Sequence, residues 1–195
     1  MHLTRFEVNT ARRGARTLLS SPQNLHAGVL SGFPAGTTTP SDDGRVLWRV
    51  DTAGWPSTQG WVTKDYRPLL DGLTTGDTWA FRLRANPTHS GRKTTDSERT
   101  QRFGHLTAPQ QLAWLTTRCA GAGFEVPVGA LGQPDAAVVH REVVRFNRRG
   151  TAVTLTTATY EGRLTVGDPT ALRRTLTHGL GPAKGYGCGL LTLAR

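Results

Sequence analysis

Residues 168–194 have the sequence DPTALRRTLTHGLGPAKGYGCGLLTLA, which combines a helix, a glycine-rich loop and a strand in one run. Asp168 suits a helix N-cap and Pro169 the first helical position, so we expect a helix that begins here and ends at the loop. The apolar end, CGLLTLA, is typical of a buried strand. This order is the reverse of dinucleotide-binding and Walker A loops, in which a strand precedes the glycines and a helix follows them.

The loop itself combines glycines with one lysine. Five glycines lie within eleven positions: Gly179, Gly181, Gly185, Gly187 and Gly189. Glycine permits positive φ and has no side chain, so backbone N–H groups can approach a ligand closely. With Lys184 among the glycines, the loop favours binding of an anion, most simply a phosphate group. The alternative is a turn that only packs the helix against a sheet.

Outward from this stretch, one order of elements occurs twice. The first half is predicted to hold strands at 1–9, 45–51, 59–63 and 78–86, a helix at 21–33 and a short helix at 66–73. The second half is predicted to hold a helix at 108–123, strands at 138–146 and 151–166, the helix from Asp168 and the final strand. If VPVGAL (126–131) supplies a weak first strand, both halves follow the order β-α-β-β-α-β. We therefore predict an α+β protein with two tandem ferredoxin-like (RRM-like) domains.

The predicted domains meet at a polar segment. Residues 1–87 form the N-terminal ferredoxin-like domain, and residues 106–195 form the C-terminal domain with the glycine loop. Between them, residues 88–105 are polar and carry more basic than acidic side chains. We interpret this segment as a basic linker, or as a loop that faces RNA.

The charge of the chain indicates its class of partner. Its 195 residues include 24 basic and 14 acidic side chains, giving a net charge of +10 and a pI near 10.9. Such a balance favours a polyanion, nucleic acid before an anionic membrane. A basic protein without such a partner is the alternative.

Other features indicate a cytoplasmic protein. The N-terminus lacks the apolar core of a signal peptide, and no stretch approaches eighteen apolar residues. We interpret Cys119 and Cys188 as reduced thiols. The six histidines show no metal-ligand spacing, so we expect no structural zinc.

His26 is the first candidate for chemistry. It follows Leu25 in the predicted helix at 21–33, at the edge of the apolar face. An imidazole suits general acid–base catalysis near neutral pH. RNA carries its own nucleophile, the 2′-OH, so a base or acid and a cationic clamp suffice for cleavage. A histidine with only a structural hydrogen bond is the alternative.

A basic hairpin is the second candidate. The segment HREVVRFNRRGTAV turns at Asn-Arg-Arg-Gly and carries four arginines: Arg141, Arg145, Arg148 and Arg149. A projecting hairpin with arginines at its tip can straddle a nucleic-acid backbone. A solvated turn is the alternative.

Several sequence segments resemble those of one protein family. GLGPAKGYGCGLLTLA, FRLRANP (81–87), QLAWL (111–115) and YEGRLTV (160–166) are similar to segments of the CasE endoribonucleases of type I-E CRISPR systems, and MHLTRFEVN and SPQNLH match more loosely. The resemblance implies two ferredoxin-like domains and no metal cofactor. It also implies cleavage at the base of a CRISPR repeat hairpin, retention of the guide RNA and assembly with the other subunits of the Cascade complex, from a free monomer.

The same resemblance implies roles for single residues. His26 matches the family's catalytic histidine, and Lys184 with Gly181, Gly185 and Gly187 matches a signature loop near the RNA. The arginine hairpin corresponds in position to an element that holds the repeat stem. Gln23 stands where relatives often carry a tyrosine; an amide can position a phosphate or 2′-OH, but it cannot act as an acid.

The expected activity is metal-independent cleavage of precursor CRISPR RNA by 2′-OH attack, which leaves a 2′,3′-cyclic phosphate. A guide-RNA-binding subunit without turnover is the first alternative. A DNA-binding protein is the second, and the absence of a helix-turn-helix or zinc-finger pattern disfavours it.

Overall fold

The computed structural model describes residues 1–34, 40–51, 61–92 and 100–195, and it has the predicted α+β class. The first elements along the chain are β1 (His2–Phe6), α1 (Arg13–Leu19), α2 (Pro22–Ser31), β2 (Trp61–Asp65) and α3 (Arg67–Asp71). They are followed by β3 (Thr78–Ala85), β4 (Thr88–Arg92), β5 (Thr100–Gly104), α4 (Ala108–Cys119) and β6 (Phe124–Glu125). The last are β7 (Ala136–Arg148), β8 (Thr151–Val166), α5 (Pro169–His178) and β9 (Leu191–Ala194).

A five-stranded antiparallel sheet dominates the second half of the chain. Its order is β6-β8-β3-β9, and β7 forms a long hairpin with β8. The order of elements from β3 through α4, β7, β8 and α5 to β9 is that of a ferredoxin-like unit. In the first half, β1 and β2 pair antiparallel, and α1 packs against α2 where Leu18 meets Gly28. Two ferredoxin-like domains are consistent with this architecture.

The position of β3 corrects the predicted strand order. The sequence assigned 78–86 to the end of the N-terminal domain, whereas β3 pairs with β8 and β9 as the first strand of the second unit. The segment at 126–131 does not supply that strand, since it contributes only an isolated bridge between Val128 and Pro134. The alternation of apolar and polar residues predicts that β3 is a strand, but it does not indicate which strand pairs with it. The predicted limits of the domains remain a prediction, and this pairing favours a boundary before residue 78.

The predicted linker is also corrected. Strands β4 and β5 pair antiparallel, with Thr88 opposite Gly104, so 88–105 carries a hairpin. The backbone N–H of His105 donates to the carbonyl of Pro87 at 2.9 Å, which closes the base of the hairpin. Hydrogen bonds between the two strands satisfy the backbone N–H and C=O groups, so a polar segment can form a hairpin without an alternating apolar pattern. Residues 93–99 lie outside the described part, and an RNA-facing role for this segment stays a prediction.

The predicted strand at 45–51 is wrong. Its residues pair with no strand in the described part of the chain, and instead they run beside the glycine loop. Within this segment, the Arg49 side chain is almost fully buried and donates to the carbonyls of Arg82 and Leu190. The strand predicted at 59–63 is observed as β2; residues 59 and 60 lie outside the described residues.

The core lies between the large sheet and helices α4 and α5. Its fully buried side chains include Leu83, Leu115, Phe124, Tyr160, Leu164, Leu172 and Leu191. Capping signals place both helices: Thr107 and Gln110 form a capping box on α4, and Asp168 accepts two backbone N–H groups at the start of α5. The glycine loop after α5 is held on the sheet by the backbone N–H of Gly189, which donates to the carbonyl of Arg84 on β3 at 2.7 Å.

The sequence also predicted reduced cysteines and no membrane-spanning segment. Cys119 and Cys188 are free and buried, and burial raises the pKa of the Cys188 thiol to about 11. Within the described ranges, no helix has the length and apolar character needed to cross a membrane.

Candidate active site

His26 lies on α2 and contacts the glycine loop. The helix begins where predicted, because the Ser21 side chain accepts a hydrogen bond from the Asn24 backbone and Pro22 occupies its first turn. A Cβ added to Gly185 would lie 3.4 Å from both Cε1 and Nε2 of His26. The structure therefore brings together the two features that the sequence singled out at opposite ends of the chain.

Tyr186 joins this contact to the hairpin. Its ring meets the His26 imidazole edge-on, with centroids 6.3 Å apart, and lies 4.9 Å from the ring of Phe146 on β7. Sequence reasoning missed Tyr186 as a site residue. Its position next to Gly185 in the loop was the only available signal.

The glycines have more than one role. Positive φ occurs at Gly179, Gly181, Gly187 and Gly189. A Cβ on Gly187 would come within 2.6 Å of the Trp48 ring, and one on Gly181 within 2.9 Å of the Trp114 ring. These positions need glycine for packing, which was the alternative interpretation of the loop. At Gly185 the requirement is instead the close approach to His26.

Two arginines act on the imidazole electrostatically, and one of them also acts on Lys184. Burial first, and then Arg45 and Arg148, lower the pKa of His26. Burial first, and then Arg45, lower the pKa of Lys184. None of the carboxylates in the described segments forms an ion pair with these three side chains. The site is thus a cluster of uncompensated positive charge around a histidine that tends to be neutral.

The hairpin arginines do not act as one group. Arg148 lies on the same face of β7 as Phe146 and is the one that affects His26 electrostatically. Arg145 lies on the opposite face and is exposed. Arg141 donates to the carbonyl of Leu106 at 3.2 Å, and Arg149 occupies the turn with φ 48°. Of the four, the structure places Arg148 at the candidate active site.

Gln23 stands three residues before His26 in the first turn of α2, which puts the two on neighbouring positions of one helix face. It is half-buried, and its side chain makes no hydrogen bond to any residue that the structure describes. Its amide is therefore available to a ligand.

One nitrogen of the histidine ring is shielded from solvent. Nδ1 of His26 is buried and makes no hydrogen bond to the described residues. Across these same residues, no group of three His, Cys, Asp or Glu side chains is arranged to hold a metal ion.

Fold and site together define a basic α+β protein of ferredoxin-like type with a histidine-centred cationic cluster. A profile of the family described as CRISPR associated protein matches residues 1–59 and 53–195, and the chain belongs to that family.

Two relatives and one solved structure extend this assignment. The CRISPR-associated endoribonuclease Cse3 of Thermus thermophilus is 27% identical over 218 residues, covering 100% of both chains. The Cascade subunit CasE of Escherichia coli K12 is 32% identical over 120 residues, covering 58% of this chain and 56% of that protein. A structure of the endoribonuclease Cse3 bound to a 19-nucleotide RNA matches over 100% of both chains, with 27% identity and a TM-score of 0.80.

Proposed function

We propose that this protein is an endoribonuclease that cuts precursor CRISPR RNA at the base of the repeat hairpin and keeps the mature guide RNA. It acts in the cytoplasm, starts as a monomer and joins the other subunits of a CRISPR surveillance complex. One observation carries the proposal: His26 lies against the glycine loop at Gly185, where Arg45 and Arg148 act on it electrostatically and Lys184 precedes the contacting glycine. The relatives named endoribonuclease, one of them bound to RNA, support the same substrate class.

The reaction is transesterification within the RNA. The 2′-OH upstream of the cut gives its proton to His26, and its oxygen attacks the adjacent phosphorus. The bond from phosphorus to the 5′ oxygen breaks, that oxygen takes up a proton from water, and His26 returns its proton to the solvent. The products are a 2′,3′-cyclic phosphate and a 5′-OH, and no metal ion takes part.

His26 suits the role of base in this scheme. Burial and the neighbouring arginines lower its pKa, which favours the neutral imidazole, the form that can accept a proton. With Nδ1 buried, Nε2 is the nitrogen left to face the 2′-OH. The surrounding cations stabilise the negative charge that develops on the phosphate oxygens, and the Gln23 amide is placed to orient the 2′-OH or the phosphate.

The remaining arginines hold the RNA. Arg145 and Arg149 are exposed on the hairpin, where they can neutralise phosphates of the repeat stem. The Arg141 side chain donates a hydrogen bond to the carbonyl of Leu106, so its charge is held in a fixed position.

Incubation of the purified protein with a repeat hairpin in EDTA tests the function most cheaply. We expect specific cleavage at the base of the hairpin, with unchanged rate in the chelator. Tight binding without cleavage would instead assign the role of a guide-RNA-binding subunit without turnover. Cleavage that EDTA abolishes would overturn the metal-independent mechanism.

A further inference from the structure

The segment at residues 41–51 lines the glycine loop along its length. Ser41 accepts a hydrogen bond at its carbonyl from Nε2 of His178, and the Arg45 N–H donates to the carbonyl of Thr177. Further along, the segment contacts successive parts of the loop. Leu47 lies against Gly179, Trp48 against Gly187, and Arg49 donates to the carbonyl of Leu190.

Arg45 is the basic residue that this segment adds to the cluster. It is half-buried, its Nε is buried, and that atom has no hydrogen-bond partner among the residues that the structure describes. Arg49, four residues on, differs because its guanidinium is bound by Asp51 and by backbone carbonyls. A buried guanidinium nitrogen without an acceptor is unfavourable, and a phosphate oxygen is the acceptor it suits best.

We propose that Arg45 is a phosphate-binding residue of the active site, which holds the reacting phosphate jointly with Lys184. This inference rests on the proposed function and adds a residue that the sequence did not reveal. The backbone bond to Thr177 fixes Arg45 at the end of α5, where the glycine loop begins. The planar guanidinium of Arg45 can donate hydrogen bonds to two oxygens of one phosphate, whereas Lys184 supplies a point charge.

Electrostatics support this position independently of packing. Burial first, and then the charge of Arg45, lowers the pKa of both His26 and Lys184. The groups that face His26 are Arg45 from the 41–51 segment, Arg148 from β7, and Tyr186 from the loop. An anion bound among these cations would raise the pKa of His26, since it offsets their charge.

The test compares Arg45→Ala with Arg163→Ala, a charge-matched control at an exposed position of β8. The first measurement is the pKa of His26 by NMR titration, with and without inorganic phosphate. In the wild-type protein and the control, phosphate should raise this pKa. In Arg45→Ala the pKa of His26 should start higher and respond less to phosphate.

The second measurement uses the repeat hairpin. Arg45→Ala should cleave it about 10²–10³-fold more slowly, the range for loss of one preorganised donor at a developing charge. The slope of log K against log salt should become shallower by roughly 0.7–0.9. Arg45→Lys should recover the pKa of His26 and part of the rate, because it keeps the charge and loses the fork.

The outcomes separate the two proposals. If Arg45→Ala keeps its melting temperature, the wild-type phosphate response and the wild-type cleavage rate, Arg45 is a solvated side chain and the inference fails. If Arg45→Ala unfolds, Arg45→Lys decides, and full wild-type rate in that variant excludes a bidentate role. If the wild-type protein cuts no RNA but its phosphate response depends on Arg45, the proposed function fails and the anion site stands.

Discussion

The backbone of Gly185 lies against the imidazole of His26, so closely that an added Cβ would be 3.4 Å from Nε2. One residue belongs to the second helix of the chain and the other to the loop before the last strand. The contact joins an acid–base group to a cationic loop. A site that needs both halves of the chain to fold is therefore sensitive to changes in either one.

Replacement of the histidine tests its role directly. His26→Ala should lower single-turnover cleavage by about 10²–10⁴-fold, the usual contribution of a general acid or base. Affinity for the repeat hairpin should change little, because a neutral imidazole contributes little to phosphate neutralisation. Gel-shift titration of the same variant checks this. A parallel loss of binding and cleavage would make His26 a binding or folding residue.

The lowered pKa of His26 predicts a pH dependence of stability. The folded protein holds this group below the ordinary value of 6.5, so the unfolded chain takes up its proton at a higher pH. The free energy of unfolding should therefore fall as the pH drops from about 6.5 through the folded pKa, and recover above that window. His105 shifts in the same direction, so the comparison is with His26→Ala. Urea titrations that show the same pH slope for both proteins would contradict this.

The pH dependence of cleavage should follow the protonation of His26. The acidic limb of the profile of kcat/KM against pH should have its midpoint below 6.5, because the neutral imidazole is the base. Removing a neighbouring cation should move this midpoint upwards.

Two hairpin arginines on opposite faces of β7 make a matched pair. Arg148→Ala should raise the pKa of His26 and slow cleavage, since Arg148 is one of the charges that lower that pKa. Arg145→Ala should leave the pKa of His26 unchanged. Each variant should reduce the salt slope of hairpin binding by roughly 0.7–0.9 if its side chain neutralises one phosphate. Equal effects of the two on the pKa of His26 would show that the face of the strand does not matter.

Loop variants should fail in two different ways. Gly187 has φ +75°, and a Cβ there would collide with the Trp48 ring at 2.6 Å, so Gly187→Val should lower the melting temperature as well as RNA binding. Lys184→Ala removes a charge without adding bulk, so it should keep the melting temperature and lose affinity. Calorimetry and hairpin titration of both variants separate these outcomes. If Lys184→Ala binds and cuts like wild type, the loop is only a structural turn.

Local signals predicted the helices that carry the site. Ser21 with Pro22 and Asp168 with Pro169 start α2 and α5 as expected, because caps depend on neighbouring residues alone. The pairing of β3 was not accessible in this way. Its partners are far along the chain, and an alternating pattern such as that of Phe81 and Leu83 fits any sheet.

The composition of the site was predicted only in part. His26, Arg148 and the glycine loop were identified, and the structure brings Gly185 of that loop against His26 and Arg148 within electrostatic reach of it. Arg45 was placed in a strand and given no role, since a single arginine in an arginine-rich chain carries no distinctive pattern. Tyr186 becomes a site residue because its ring contacts the ring of His26, and a contact between residues so far apart in the chain cannot be predicted from sequence spacing.

A repeat hairpin with a single 2′-deoxy nucleotide just upstream of the cut tests the proposed reaction most directly. We predict that the wild-type protein binds this RNA as tightly as the unmodified hairpin and leaves it intact. In parallel, the unmodified RNA should be cut to a 2′,3′-cyclic phosphate and a 5′-OH in the presence of EDTA. Normal cleavage of the deoxy substrate would contradict attack by the 2′-OH, and with it the role assigned to His26.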